Sequence, residues 1–92
     1  MLTLRVTGQF KRDRKLAAKR RLNIQLLDQV IMTLLEEKPL PTSMRDHSLG
    51  GAYSGYRECH LQPDWILMYY VERDNLVLVA YRTGTHADLR LE

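Results

Sequence analysis

Residues 56–86 read YRECHLQPDWILMYYVERDNLVLVAYRTGTH, and the fold turns on how this stretch divides. Gln62-Pro63 and Glu72–Asn75 are its polar breaks. Between and beyond them lie Tyr56–Leu61, Trp65–Val71 and Leu76–Arg82, three short runs rich in aromatic and β-branched residues, as strands are. Trp65–Val71 is apolar or aromatic throughout, which suits a central strand covered on both faces. Connections this short predict an antiparallel meander, with Glu72–Asn75 as a hairpin turn.

Upstream the pattern changes. Leu2, Leu4 and Val6 alternate with Thr3 and Arg5, the period of a half-buried strand. Thr7 is placed to cap a helix over Gln9 to Arg21, whose core contacts are expected from Phe10, Ala17 and Leu16. Asn23 is placed to cap a second helix. There Ile24, Leu27, Ile31, Leu34 and Leu35 form one apolar stripe, ended by Pro39 and Pro41. The two helices read as a hairpin with a basic outer face. Residues 39–55 read as a loop, and a loop this long in so short a chain is often functional. The predicted fold is α+β: an N-terminal strand and a two-helix hairpin packed on an antiparallel sheet, in the order β-α-α-β-β-β. A short C-terminal helical turn follows. Helices on one sheet face leave the other face for chemistry.

At 92 residues, the chain is expected to form one domain spanning 1–92. Hydrophobic content of 45% and charged content of 27% fit a globular protein. No run approaches the ~20 apolar residues of a membrane span, and Met1 to Val6 does not read as a signal peptide. A lone cysteine, Cys59, suits a reducing compartment, so the cytoplasm is expected. Residues 1–22 hold eight Lys and Arg against only Asp13, while the remainder has six basic and ten acidic residues. Such a basic first third predicts a polyanion or acidic protein partner, or simply a solvated helix face.

Three histidines stand out: His47 in the loop, His60 on a strand and His86 after the last strand. A turn pairing Val71 with Leu76 sets Trp65 opposite Arg82. A tight connection pairing Leu61 with Asp64 sets His60 opposite Trp65, giving a His60–Trp65–Arg82 row on one face. A slip of one residue breaks that row. Thr85 and Asp88 have the spacing of a capping box, opening a helical turn at His86 whose backbone N–H groups suit a phosphate. Histidine can take or give a proton near neutral pH, and Arg82 offers a fixed charge for a phosphorane. Trp65 is either a core residue or a flat surface for an unpaired base. The spacings of zinc motifs are absent, so no metal or cofactor is predicted. Cys59 alternates to the strand face opposite His60, which argues against a thiol–histidine pair.

Four segments together resemble the RelE superfamily of bacterial toxins, in its YafQ-like branch. They are Arg45-Asp46-His47-Ser48-Leu49-Gly50-Gly51, Gly55-Tyr56-Arg57-Glu58-Cys59-His60, Pro63-Asp64-Trp65-Ile66-Leu67-Met68-Tyr69-Tyr70 and Arg82-Thr83-Gly84-Thr85-His86. The resemblance implies the toxin of a type II toxin–antitoxin pair, an endoribonuclease that cuts mRNA in the A site of the 70S ribosome. It implies a catalytic set of His47, His60, Asp64, His86 and Arg82, with Trp65 beside the RNA. Asp64 and His86 would move protons, His47 and His60 would position the phosphate or share that task, and Arg82 would stabilise the phosphorane. The basic helix residues Lys11, Arg12, Lys15, Lys19 and Arg20 would meet rRNA or the cognate antitoxin. Relatives place an aromatic where this chain has Leu89-Arg90-Leu91, so the resemblance implies that an RNA contact there is either missing or supplied by Arg90. Two other functions fit the superfamily: a non-catalytic gyrase inhibitor of the ParE type, and a catalytically silent RNA- or antitoxin-binding module. Neither needs the His/Asp set.

Overall fold

The computed structural model describes residues 1–89, so the RNA-binding expectation for Arg90 lies outside the described residues. Its elements are β1 (Thr3–Val6), α1 (Gly8–Lys19), α2 (Ile24–Leu35), β2 (His47–Ser48), β3 (Arg57–Gln62), β4 (Trp65–Glu72), β5 (Val77–Gly84) and α3 (His86–Leu89). The α+β architecture agrees with the sequence reading.

Both long helices start where their caps predict. Thr7 Oγ1 accepts from Phe10 N at 2.9 Å, and Asn23 Oδ1 accepts from Leu26 N at 3.2 Å, each cap contributing about 1 kcal/mol. Both also end alike without glycine. Arg21 and Glu37 adopt left-handed backbone, and Leu22 N and Lys38 N reach back to the carbonyls of Ala17 and Thr33. This closure satisfies the last carbonyls, and it stops α2 before Pro39.

Leu27, Val30, Ile31 and Leu35 of α2 join Phe10 and Ala17 of α1 in a core against Cys59, Leu61, Trp65, Leu67, Tyr69, Leu78 and Ala80. Leu16, expected in that core, is 42% exposed, and Asp13 is buried on α1 instead. The sheet order is β1-β5-β4-β3-β2, with β4 at the centre as predicted. β1 runs parallel to β5, pairing Leu4 with Leu78, while the other neighbours are antiparallel. β2 is a strand that residues 39–55 were not expected to contain.

The registers differ from those expected. Val71 pairs with Leu78, and a bulge at Tyr81 then sets Arg82 opposite Met68. His60 pairs with Ile66, whereas Trp65 faces Gln62. A one-residue difference in pairing exchanges sheet faces, so Trp65 turns into the helix-side core at 1% exposure. The opposite face is not bare either. Ile66, Met68 and Val79 alternate with the core residues and are also buried.

Candidate active site

Cys59 and Leu61 face the helices, so alternation along β3 puts Glu58 and His60 on the other, open face. β2 adds His47, paired with Glu58 across the strand edge. β5 leads into α3, which brings His86 to the same place. The ring centroids of His47 and His60 lie 6.4 Å apart, and those of His60 and His86 5.5 Å apart. The three histidines therefore form a row from three separate segments of chain.

Each ring is held differently. His86 Nδ1 and its backbone N both lie against Asp64 Oδ1, at 2.8 and 3.0 Å. Asp64 thereby fixes the ring and leaves Nε2 free. These bonds from His86 hold the Asp64 carboxyl below its ordinary pKa. His47 Nδ1 donates to the Arg45 carbonyl at 2.6 Å, while Nε2 sits 3.1 Å from Glu58 Oε1. His60 is 8% exposed, and its Nδ1 has no hydrogen-bond partner among the described residues. Burial lowers its pKa, and the charge of nearby Arg45 lowers it further.

The capping box forms as read. Thr85 N donates to Asp88 Oδ2 and Asp88 N to Thr85 Oγ1, both at 3.0 Å. Its consequence for phosphate binding is the reverse of the expectation, because the N–H groups of Thr85, His86 and Asp88 are already satisfied by side chains.

Arg82 is the largest departure. Its Nε and Nη2 bind the Asp13 carboxylate at 2.9 and 3.1 Å, and Thr83 N binds the same carboxylate at 3.2 Å. The guanidinium lines a cleft with Gln9, Leu16 and Arg20 on the α1 side, away from the histidine row. The cation beside the histidines is Arg45, which has left-handed backbone and makes no ion pair among the described residues. Trp65, proposed for base stacking, is sealed in the core and has no face to offer. Arg20 is tied to Asp88 at 2.7 Å, which pulls that carboxyl down to about 2. Lys11, Arg12, Lys15 and Lys19 are exposed on α1, on the far side of the sheet from the histidines.

Sequence reasoning passed over Glu58, Arg45 and Asp13. Glu58 had a usable signal: it lies two residues from His60, where alternation must place both on one face. Cys59 is buried, which pushes its thiol up to about 12, far from a reactive thiolate. Among the described residues no group of three or more His, Cys, Asp or Glu is arranged to hold a metal ion.

The family model for a bacterial toxin of type II toxin–antitoxin system, YafQ, matches residues 2–91. The chain belongs to the YafQ toxin family. It is 45% identical over 85 residues to the mRNA interferase toxin YafQ of Escherichia coli strain K12, covering 90% of this chain and 89% of that one. YafQ in the E. coli DinJ-YafQ complex superposes with a TM-score of 0.87 at 39% identity, covering 97% of this chain and 98% of that one. A metal-bound toxin from Helicobacter pylori superposes with a TM-score of 0.91 at 36% identity, covering 97% and 99%.

Proposed function

We propose that this chain is the toxin of a type II toxin–antitoxin pair and an endoribonuclease that cuts mRNA in the ribosomal A site. Its site would be the row His47–His60–His86 with Asp64 bonded to His86, and that row is the observation carrying the reading. The reaction is transfer within the RNA. A ribose 2′-oxygen attacks the adjacent phosphorus, the P–O5′ bond breaks, and a 2′,3′-cyclic phosphate and a 5′-hydroxyl result. One proton leaves the 2′-OH and one is delivered to O5′.

His60, kept neutral by burial, is suited to take the first proton. His86, oriented by Asp64, delivers the second through Nε2, much as a buried carboxylate orients a catalytic imidazole. Asp64 is itself a poor proton carrier near neutrality because His86 lowers its pKa. It acts by holding His86. His47, braced between the Arg45 carbonyl and Glu58, faces the phosphate. Arg45 rather than Arg82 supplies the cation for the phosphorane oxygens. The mechanism needs no metal.

The partners follow from the remaining surface. An apolar groove of about 290 Å³ between β1 and the helices is lined by Leu4, Val6, Phe10, Ile31, Met32 and Leu35 and rimmed by Lys11 and by Arg14, the latter paired with Asp28 at 2.7 Å. It suits an amphipathic segment of a cognate antitoxin, and the E. coli relative is found in a DinJ-YafQ toxin-antitoxin complex. Lys15 and Lys19 remain for rRNA phosphates. Among the described residues no helix is long and apolar enough to cross a membrane, and the bacterial cytoplasm is where ribosome and antitoxin are met.

The test is to induce wild type and His86→Ala, then map mRNA 5′ ends and growth. Cleavage lost in the variant, with fold and antitoxin binding kept, supports the enzyme. Equal growth arrest from both with intact mRNA refutes it. Activity that chelation abolishes and zinc restores, on ribosomes kept intact with magnesium, refutes the metal-free route.

A further inference from the structure

Four of the five tyrosines gather on the open face, at the end of β3 away from His60. Tyr56 packs against Tyr70 with centroids 4.9 Å apart at 72°, and against Tyr81 at 4.8 Å and 59°. Tyr53 meets Tyr56 edge-on at 6.0 Å. All four are only partly buried, and neither Tyr70 nor Tyr81 stacks face to face on Tyr56. Strand pairing explains the cluster. Tyr56 lies across from Tyr70, Tyr70 pairs with Val79, and Val79 pairs with Arg5, so the row ends on the edge strand at Arg5, which is ion-paired with Glu72. The bulge after Ala80 turns Tyr81 onto the same face.

Tyr56 immediately precedes β3 and continues the alternation of Glu58 and His60, so the tyrosines lie ~13 Å from His60 along that face. Between them Glu58 is nearly covered and occupied by His47. We propose that Tyr56, Tyr70 and Tyr81, with Arg5 at their edge, form a stacking subsite for an unpaired base of the RNA whose scissile phosphate sits at the histidine row. This rests on the endoribonuclease reading. The occupant is single-stranded RNA because the tyrosines share the sheet face of the histidines, and because aromatic rings beside a half-exposed arginine, its guanidinium shared with Glu72, suit an unpaired base. It also takes over the stacking that buried Trp65 cannot supply.

The experiment has two readouts. One is anisotropy of a labelled, unstructured RNA decamer with intact toxin. The other is single-turnover cleavage of mRNA on programmed ribosomes as toxin concentration rises. Tyr70→Leu and Tyr81→Leu should each weaken decamer binding about 5- to 100-fold. They should raise the half-saturating toxin concentration while leaving the maximal rate near wild type, and Tyr70→Phe and Tyr81→Phe should restore both. Thermal unfolding confirms which variants are folded, and using two positions guards against the loss of one. Folded leucine variants with unchanged binding and half-saturation overturn the subsite, as does equal loss in the phenylalanine variants. So does lost antitoxin neutralisation with RNA binding intact, which would make the face a protein-docking surface. Decamer binding that depends on the tyrosines, with no cleavage by wild type, would uphold the subsite and strike only the enzymatic reading.

Discussion

Replacing Asp13 should unfasten the first helix from the strand that leads into His86. Asp13 is 7% exposed, and its two oxygens accept from Arg82 Nε, Arg82 Nη2, Thr83 N and Gln9 Nε2. Asp13→Ala strands the guanidinium and a buried backbone N–H together. Breaking a fully buried pair costs about 3–5 kcal/mol. Arg82 is 28% exposed, so water recovers part of that, and the expected loss is about 3 kcal/mol. In a chain this short, 1 kcal/mol moves the melting temperature by about 4–8 °C, so the variant should melt ~12–24 °C below wild type. Asp13→Asn keeps one acceptor oxygen and should fall between the two. Asp13→Ala with Arg82→Ala removes the stranded charge, and the double change should cost at least ~1 kcal/mol less than the sum of the singles. Circular dichroism during heating and urea titration measures wild type, Asp13→Ala, Asp13→Asn, Arg82→Ala and the double variant. A drop under ~4 °C for Asp13→Ala, or strictly additive singles, would refute the strut.

Three further outcomes follow from the same geometry. Arg45→Ala should slow single-turnover cleavage about 100-fold, whereas Arg82→Ala should chiefly lower the melting temperature; the opposite ranking returns the phosphorane to Arg82. His60 has its pKa lowered in the fold, so the unfolded chain binds the extra proton first. Stability should therefore be full above the ordinary histidine range near 6.5 and decline as pH falls below it. His60→Gln should flatten that decline in melting-versus-pH curves, and identical curves count against it. In Gly84→Ala, the new Cβ would sit 2.9 Å from Asp88 Cβ and 3.0 Å from its Oδ2, pushing on the capping box beneath His86. Cleavage should fall with little change in antitoxin affinity; a fully active variant means the box does not position His86.

What could be read ahead of the structure was whatever is encoded locally. Thr7, Asn23 and the Thr85–Asp88 box each act over three residues, and all three formed. The apolar run Trp65–Val71 likewise announced a central strand. Registers were not legible, because the bulge at Tyr81 and the tight Gln62–Trp65 connection depend on tertiary packing. One residue of slip moved Trp65 from the chemical face to the core. The histidines were found, but only the family resemblance brought His47 to the others, since it reaches them through a two-residue strand hidden in a glycine-rich loop. Arg82 misled for a related reason. Its partner Asp13 lies 69 residues away on a helix that reads simply as basic.

Residues 82–89 tie the histidine row on one face of the sheet to the basic helix on the other. From one short segment, Arg82 and Asp88 reach back to Asp13 of α1 and Arg20 at its C-terminal cap, while His86 reaches forward to Asp64 beside the histidine row. The contacts to α1 are ion pairs of differing burial, with Asp13 nearly covered and Arg20 42% exposed. The exposed pair contributes little energy in salt, so it defines direction more than stability. The buried pair sets where β5 ends relative to α1. His86 is then placed by a carboxylate on each side of it in the chain, Asp64 through the ring and Asp88 through the cap. The aim of that imidazole is thus set by acidic residues 13, 64 and 88, and the basic helix is part of the machinery that holds it.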